Sequence, residues 1–127
     1  MMDGSMKGRL LCVDDDRDTC EMLALLLGQA GYAVEHALSV SDGLTKVRRG
    51  GFDLILLDWS LKDGTGLDFC RQVRAFDSQT AIVFYTGHID ESAIASAMSA
   101  GAQGYLIKPV AVESLLQTVS EYVAESR

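Results

Sequence analysis

Leu54-Ile55-Leu56-Leu57-Asp58 decides how this chain reads: four aliphatic residues in succession, with no polar alternation, delivered straight into a carboxylate. An apolar run of that length fits a strand buried on both faces, the kind found in parallel sheets covered by helices. Three more runs repeat the pattern. Leu10-Leu11-Cys12-Val13 ends on Asp14-Asp15, Ala81-Ile82-Val83-Phe84-Tyr85 on Thr86, and Tyr105-Leu106-Ile107 on Lys108-Pro109. Parallel strands carry their carboxyl ends to one edge, and ligands of open α/β sheets sit just outside that edge. Three carboxylates, a hydroxyl and an ammonium are therefore expected to converge there.

Working outward, helical periods separate the runs. Asp16-Arg17-Asp18-Thr19 offers a cap and an acidic first turn, and Cys20, Leu23, Leu27 and Ala30 then recur at helical spacing up to Gly31. A strand is expected over 33–38, followed by a helix capped by Ser39 or Ser41, with Val40, Leu44 and Val47 on one face and basic residues before Gly50. The strand at 52–57 leads into a polar loop at 60–66. A helix over 67–76 follows, with Phe69, Cys70, Val73 and Phe76 inward. The helix at 90–100 turns in Ile94, Ala97 and Met98. Strand 105–108 precedes a final helix at 112–124, which buries Val112, Leu115, Leu116, Val119 and Val123. With right-handed crossovers, five strand-helix pairs give a doubly wound, flavodoxin-like α/β domain whose five parallel strands take the order 2-1-3-4-5.

Composition narrows the functions. A chain of 127 residues has the length of one ordinary domain, read here as residues 9–127, with 1–8 as a flexible leader or expression remnant. A net charge of -7 argues against direct nucleic-acid binding, which clustered Lys and Arg carry. No apolar stretch approaches the roughly 20 residues of a membrane helix, and the N-terminus lacks the order of a signal peptide, so the chain reads as cytoplasmic with no membrane role. Cys12, Cys20 and Cys70, with no CxxC or Cys/His spacing, read as buried thiols.

Taken together and in order, Val13-Asp14-Asp15, Leu57-Asp58, Thr86-Gly87 and Tyr105-Leu106-Ile107-Lys108-Pro109 resemble the receiver domain of a two-component response regulator. The resemblance implies a phosphoacceptor at Asp58, phosphorylated by a histidine kinase or histidine phosphotransfer protein. It implies Mg²⁺, or Mn²⁺, on Asp15, Asp58 and the backbone carbonyl of Ser60, with Asp14 acting through water. Lys108, Thr86 and Gly87 would bind the phosphoryl group, Thr86 and Tyr105 would switch, and Ser60 and His88 would tune its lifetime. Pro109 matches a position where the preceding peptide is cis. Phosphorylation would then shift the surface of the fourth helix, fifth strand and fifth helix toward an unknown output partner or domain, or toward a homodimer. Asp14 and Asp15 next to Asp58 fit the metal independently, because three crowded carboxylates repel one another until a cation intervenes.

Two short stretches depart from the family pattern. Leu61-Lys62 and Thr65-Gly66 stand where Met-Pro and Asp-Gly are usual. Two other functions compete. A pseudo-receiver would use the fold for protein association alone. A haloacid-dehalogenase-type phosphatase also starts from a strand-end aspartate, but it needs a second carboxylate two residues on, where this chain has Ser60. On the receiver reading the chain modifies itself and turns over no substrate.

Overall fold

The structure is a computed structural model and describes residues 6–126. Its elements run β1 (Gly8–Val13), α1 (Arg17–Gln29), β2 (Tyr32–Ala37), α2 (Val40–Arg49), β3 (Leu54–Leu57), β4 (Ser60–Leu61), β5 (Gly64–Thr65), α3 (Gly66–Arg74), β6 (Ala81–Thr86), α4 (Glu91–Ser99), β7 (Gly104–Ile107) and α5 (Val112–Glu125). The main sheet has the order β2-β1-β3-β6-β7 with every pair parallel. Once the two-residue ribbon β4-β5 is set aside, this is the 2-1-3-4-5 arrangement expected from the sequence.

Strand residues alternate between two cores, as a period of two requires. Leu11, Val13, Ile55, Leu57, Ile82 and Phe84 pack with Val47, Phe69, Val73 and Ala97, which come from α2, α3 and α4. Leu10, Cys12, Leu54, Leu56, Val83 and Tyr85 pack with Leu23, Leu27, Leu115 and Val119 of α1 and α5. Each fully buried aliphatic side chain contributes about 2 kcal/mol. The unbroken apolar runs are thus explained, since both faces of the central strands are covered.

Polar caps set where α1, α2 and α3 begin. Asp16 accepts from the Asp18 N–H at 3.2 Å and the Thr19 hydroxyl at 2.7 Å, and Ser39 accepts from the Asp42 N–H at 3.0 Å. The polar loop at 60–66 is more ordered than its composition suggested. Ser60 pairs with Thr65 and Leu61 with Gly64, and the Thr65 hydroxyl accepts from the Asp68 N–H at 3.1 Å to cap α3.

Several expectations need correcting. β1 begins at Gly8 and the Lys7 N–H donates to the Gly31 carbonyl at 2.8 Å, so the strand starts inside the expected leader; residues 1–5 lie outside the described residues. Phe76 is 40% exposed because α3 ends at Arg74 and the helical period stops there; its ring lies under the Arg48 guanidinium, 4.2 Å from the centroid. Met98 is exposed because α4 buries the small side chains of Ala93 and Ala97 and turns its neighbour outward. Val112 is exposed in the first turn of α5, ahead of the buried stripe Leu115, Val119 and Val123.

Candidate functional site

Strand register assembles the site. Val13 pairs with Leu57 and Leu57 with Phe84, so Asp14 and Asp58 are side-by-side continuations of β1 and β3. Their N–H groups extend the ladder by one bond each, Asp14 to the Ala37 carbonyl at 3.0 Å and Asp58 to the Val13 carbonyl at 2.9 Å. Asp14 is buried, Asp58 half-buried and Asp15 exposed. Each offers a carboxylate oxygen, and these oxygens all lie within 4.8 Å of one another.

Lys108 reaches in from the end of β7. Its ammonium lies 3.0 Å from Asp14 Oδ2 and 3.3 Å from Asp58 Oδ2, and its N–H donates to the Thr86 carbonyl at 2.8 Å. The Lys108–Pro109 peptide is cis. One ammonium thus faces three carboxylates, leaving the edge with excess negative charge. Burial pushes the Asp14 carboxyl above its ordinary value, opposed by bonds from the Asp16 N–H and from Lys108. Burial acts to lower the Lys108 ammonium, but the bond to Asp14 and the charges of Asp14 and Asp58 outweigh it, and its pKa is raised. Lys108 is therefore a fixed cation at neutral pH.

Asp58 is also held through its own backbone. Its Oδ1 accepts from the Trp59 N–H at 2.6 Å, and the Trp59 carbonyl accepts from the Gly66 N–H at 2.7 Å. Gly66 must be glycine for space, because a Cβ there would collide with the Asp58 backbone carbonyl and come within 2.9 Å of Phe84 Cε2. Sequence reasoning had treated Gly66 only as part of a departure from the family pattern. It also missed Asp63, whose carboxylate accepts from the N–H groups of Val40 at 2.6 Å and Ser41 at 3.1 Å and so ties the β4-β5 ribbon to α2. Neither contact has a local sequence signal, since both join segments that meet only in the fold.

The remaining candidates lie along the neighbouring strand ends. Thr86 is buried, and its hydroxyl oxygen accepts weakly from the His88 N–H at 3.4 Å. Gly87 has open space where a side chain would stand. Ser60 is exposed, and the exposed His88 places its ring 5.1 Å from that of Trp59. Tyr105 stacks on Phe84 at 5.7 Å and its hydroxyl donates to the His88 carbonyl at 2.9 Å. Tyr105 and His88 are thus joined through a backbone group that any residue would supply. A hollow of about 190 Å³ lined by Gln79, Ala81, Gln103, Tyr122, Glu125 and Ser126 lies instead at the opposite end of the strands.

Comparison with known proteins agrees with this geometry. The chain matches the response regulator receiver domain family over residues 10–120. It is 33% identical over 118 residues to the transcriptional regulatory protein ZraR of Klebsiella oxytoca, covering 93% of this chain and 27% of that protein. It is 36% identical over 115 residues to the DNA-binding response regulator MtrA of Mycolicibacterium smegmatis, covering 91% of this chain and 50% of that protein. The chain therefore spans half the length or less of these relatives. Among solved structures, a CheY-like response regulator receiver domain protein of Methanospirillum hungatei superposes with a TM-score of 0.88 at 29% identity, over 94% of this chain and 95% of that one. A match spanning every strand of the sheet, on a chain whose strand ends gather the acidic cluster and its lysine, leaves one conclusion: this chain belongs to the response regulator receiver domain family, a two-component signalling module rather than a classical enzyme.

Proposed function

We propose that the chain accepts a phosphoryl group on Asp58 from a histidine kinase or histidine phosphotransfer protein, with Mg²⁺ as cofactor. The observation that carries this reading is the cluster of three carboxylates within 4.8 Å, two of them bridged by the ammonium of Lys108. A donor set of carboxylate oxygens, without nitrogen or sulfur, fits a hard cation such as Mg²⁺ or Mn²⁺. Asp15, Asp58 and the Ser60 carbonyl would hold it, with Asp14 through water. When bound, it would offset the repulsion of the carboxylates and the charge of the incoming phosphoryl group.

The chain's own residues then do the following. A carboxylate oxygen of Asp58 forms the new O–P bond while the donor's N–P bond breaks and its electron pair returns to the imidazole nitrogen. Trp59 N–H keeps Oδ1 oriented through the approach. Lys108 exchanges Asp58 Oδ2 for a phosphoryl oxygen without changing its protonation. The Thr86 hydroxyl, which accepts only a long bond from His88, donates its hydrogen to the same group. Open space at Gly87 leaves room for it. Water later attacks phosphorus, the Asp58 O–P bond breaks with its electron pair returning to the carboxylate, and inorganic phosphate leaves, at a rate set partly by Ser60 and His88.

Phosphorylation biases two arrangements of Thr86 and Tyr105, and through them the α4-β7-α5 surface that an output partner reads. A net charge of -7 supports a protein rather than a nucleic acid as the direct partner of this segment. Among the described residues no helix is long and apolar enough to cross a membrane, and the receiver reading places the chain in the cytoplasm. The test is phosphotransfer from a radiolabelled histidine phosphotransfer protein with Mg²⁺ present. Label should move to the wild-type chain and not to Asp58→Asn; label that moves equally to both sinks the assignment of Asp58.

A further inference from the structure

Charge is distributed unevenly along this chain. Between Arg74 and Arg127 the only Lys or Arg is Lys108, and its ammonium is committed to Asp14 and Asp58. The same stretch carries Asp77, Asp90, Glu91, Glu113, Glu121 and Glu125. It also builds the edge of the sheet: β7 ends the strand order, with α4 packed toward one core and α5 toward the other. Tyr105 and Ile107, two residues apart, share one side of this edge strand, and Tyr105 joins the core to which α4 contributes.

Large apolar side chains are left uncovered in that region. Ile89 before α4 is 68% exposed, Met98 on α4 44%, Ile107 on β7 39% and Val112 on α5 49%. Asp90, Glu91 and Glu113 stand among them, all exposed. Lys46, Arg48 and Arg49 lie on α2 and Arg71 on α3, while Arg74 reaches the connection between α4 and β7 but spends its guanidinium on the carbonyls of Gly101 and Asp77 and the side chain of Gln103.

We infer that the α4-β7-α5 face docks a partner segment that presents apolar side chains ringed by Lys or Arg, in the manner of a basic amphipathic helix, and not a second copy of this face. A two-fold dimer sets a surface against itself. Here that would bring carboxylates to carboxylates with no cation to intervene, a repulsion that acts as discrimination against self-pairing. A basic partner meets the same rim with opposite charge while its apolar residues cover Met98 and Ile107. The bond from Tyr105 to the His88 carbonyl ties this face to the end of β6, where the site lies. The inference rests on the reading that this face carries the output of Asp58 phosphorylation.

The experiment uses the full chain with Mg²⁺ and beryllofluoride, titrated with a synthetic helical peptide of Leu and Lys and with its Leu and Glu counterpart. Amide shifts are followed by NMR and oligomeric state by sedimentation. The Leu and Lys peptide should saturate, with shifts concentrated on α4, β7 and the first turn of α5, while the protein stays monomeric and the Leu and Glu peptide does nothing. Glu91→Lys with Glu113→Lys, and separately Met98→Ser with Ile107→Ser, should each weaken binding by about tenfold. Shifts confined to the edge of Asp14, Asp15 and Asp58, shifts spread evenly over the surface, no binding, or a dimer formed through this face would each overturn the inference. Phosphorylation of each variant by a small donor is measured in parallel. Normal phosphorylation without docking removes only this inference, whereas no phosphorylation of the wild type removes the functional reading beneath it.

Discussion

Gly66→Ala tests whether the position of Asp58 depends on a contact made through backbone. The added methyl would meet the Asp58 backbone carbonyl and sit 2.9 Å from Phe84 Cε2. No rotamer change relieves a clash with a carbonyl, so either α3 or the end of β3 must shift, and the Gly66 N–H bond to the Trp59 carbonyl at 2.7 Å stretches with it. Overpacking of this kind costs about 1–3 kcal/mol. For a chain of this length that is a fall in Tm of roughly 3–6 °C per kcal/mol, between the ranges for smaller and larger domains. Misplacing a reacting group by about 1 Å can cost about 100-fold in rate, so phosphorylation by a small donor should slow by roughly 10-fold to 100-fold. Urea denaturation followed by intact-mass kinetics reads both effects. Gly43→Ala serves as a control: its methyl would press on Phe69 Cε1 at 2.7 Å, between α2 and α3, and should lower stability while leaving the rate per folded molecule unchanged. A Gly66→Ala chain within 0.5 kcal/mol of wild type and phosphorylated at the normal rate would refute the reasoning.

Further outcomes follow from the same contacts. Gly28→Ala, where a methyl meets nothing within 4 Å in α1, should raise stability by about 0.5–1 kcal/mol in urea melts; destabilisation would mean the helix end is constrained in some other way. Burial works to raise the Asp77 carboxyl, but bonds from the Thr80 hydroxyl, the Thr80 N–H and the Gln79 N–H, with the charge of Arg74, win and hold it below the ordinary 3.8. Its contribution, about 1 kcal/mol with water screening, is complete above pH 3.8 and lost as pH falls through the lower folded value. Asp77→Ala should thus weaken the fold at neutral pH and converge with wild type in strong acid, and a penalty that persists there would contradict this. Lys108→Ala should abolish most phosphorylation yet tighten Mg²⁺ binding several-fold, because the ammonium no longer competes for Asp14 and Asp58. Weaker Mg²⁺ binding by calorimetry would count against that account. At a Mg²⁺ concentration 100 times its Kd, the wild type should gain about 2.7 kcal/mol in urea denaturation, and Asp15→Asn markedly less.

Much of the fold was legible because the central strands are covered on both faces. Leu54 to Leu57 and Leu10 to Val13 had to be apolar throughout, and for five such strand-helix pairs 2-1-3-4-5 is the commonest order at this size. The strand-end residues were legible for the same reason: a polar residue closing an apolar run marks the edge of the sheet, as Asp58 and Lys108 do. Element ends were harder to read. Phe76 continues a helical spacing but lies beyond Arg74, where α3 stops, so spacing alone assigned it inward. Met98 was misplaced because α4 packs through alanines, which gives hydrophobicity little contrast from one face to the other. Contacts such as Gly66 on the Asp58 carbonyl or Asp63 at the start of α2 depend on loops that meet only after folding, and the role of His88 in holding Tyr105 is played by a carbonyl that carries no residue identity.

Trp59 offers the most direct test of the central claim, since its backbone N–H donates to Asp58 Oδ1 and its ring lies 5.6 Å from Phe84 and 5.1 Å from His88. Its fluorescence should respond saturably to Mg²⁺ and again to beryllofluoride. Donor-treated protein should gain the mass of one phosphoryl group, and Asp58→Asn should lose the beryllofluoride response and the mass gain. A wild-type chain that shows neither response and gains no mass would contradict the account and leave a receiver fold used for association alone.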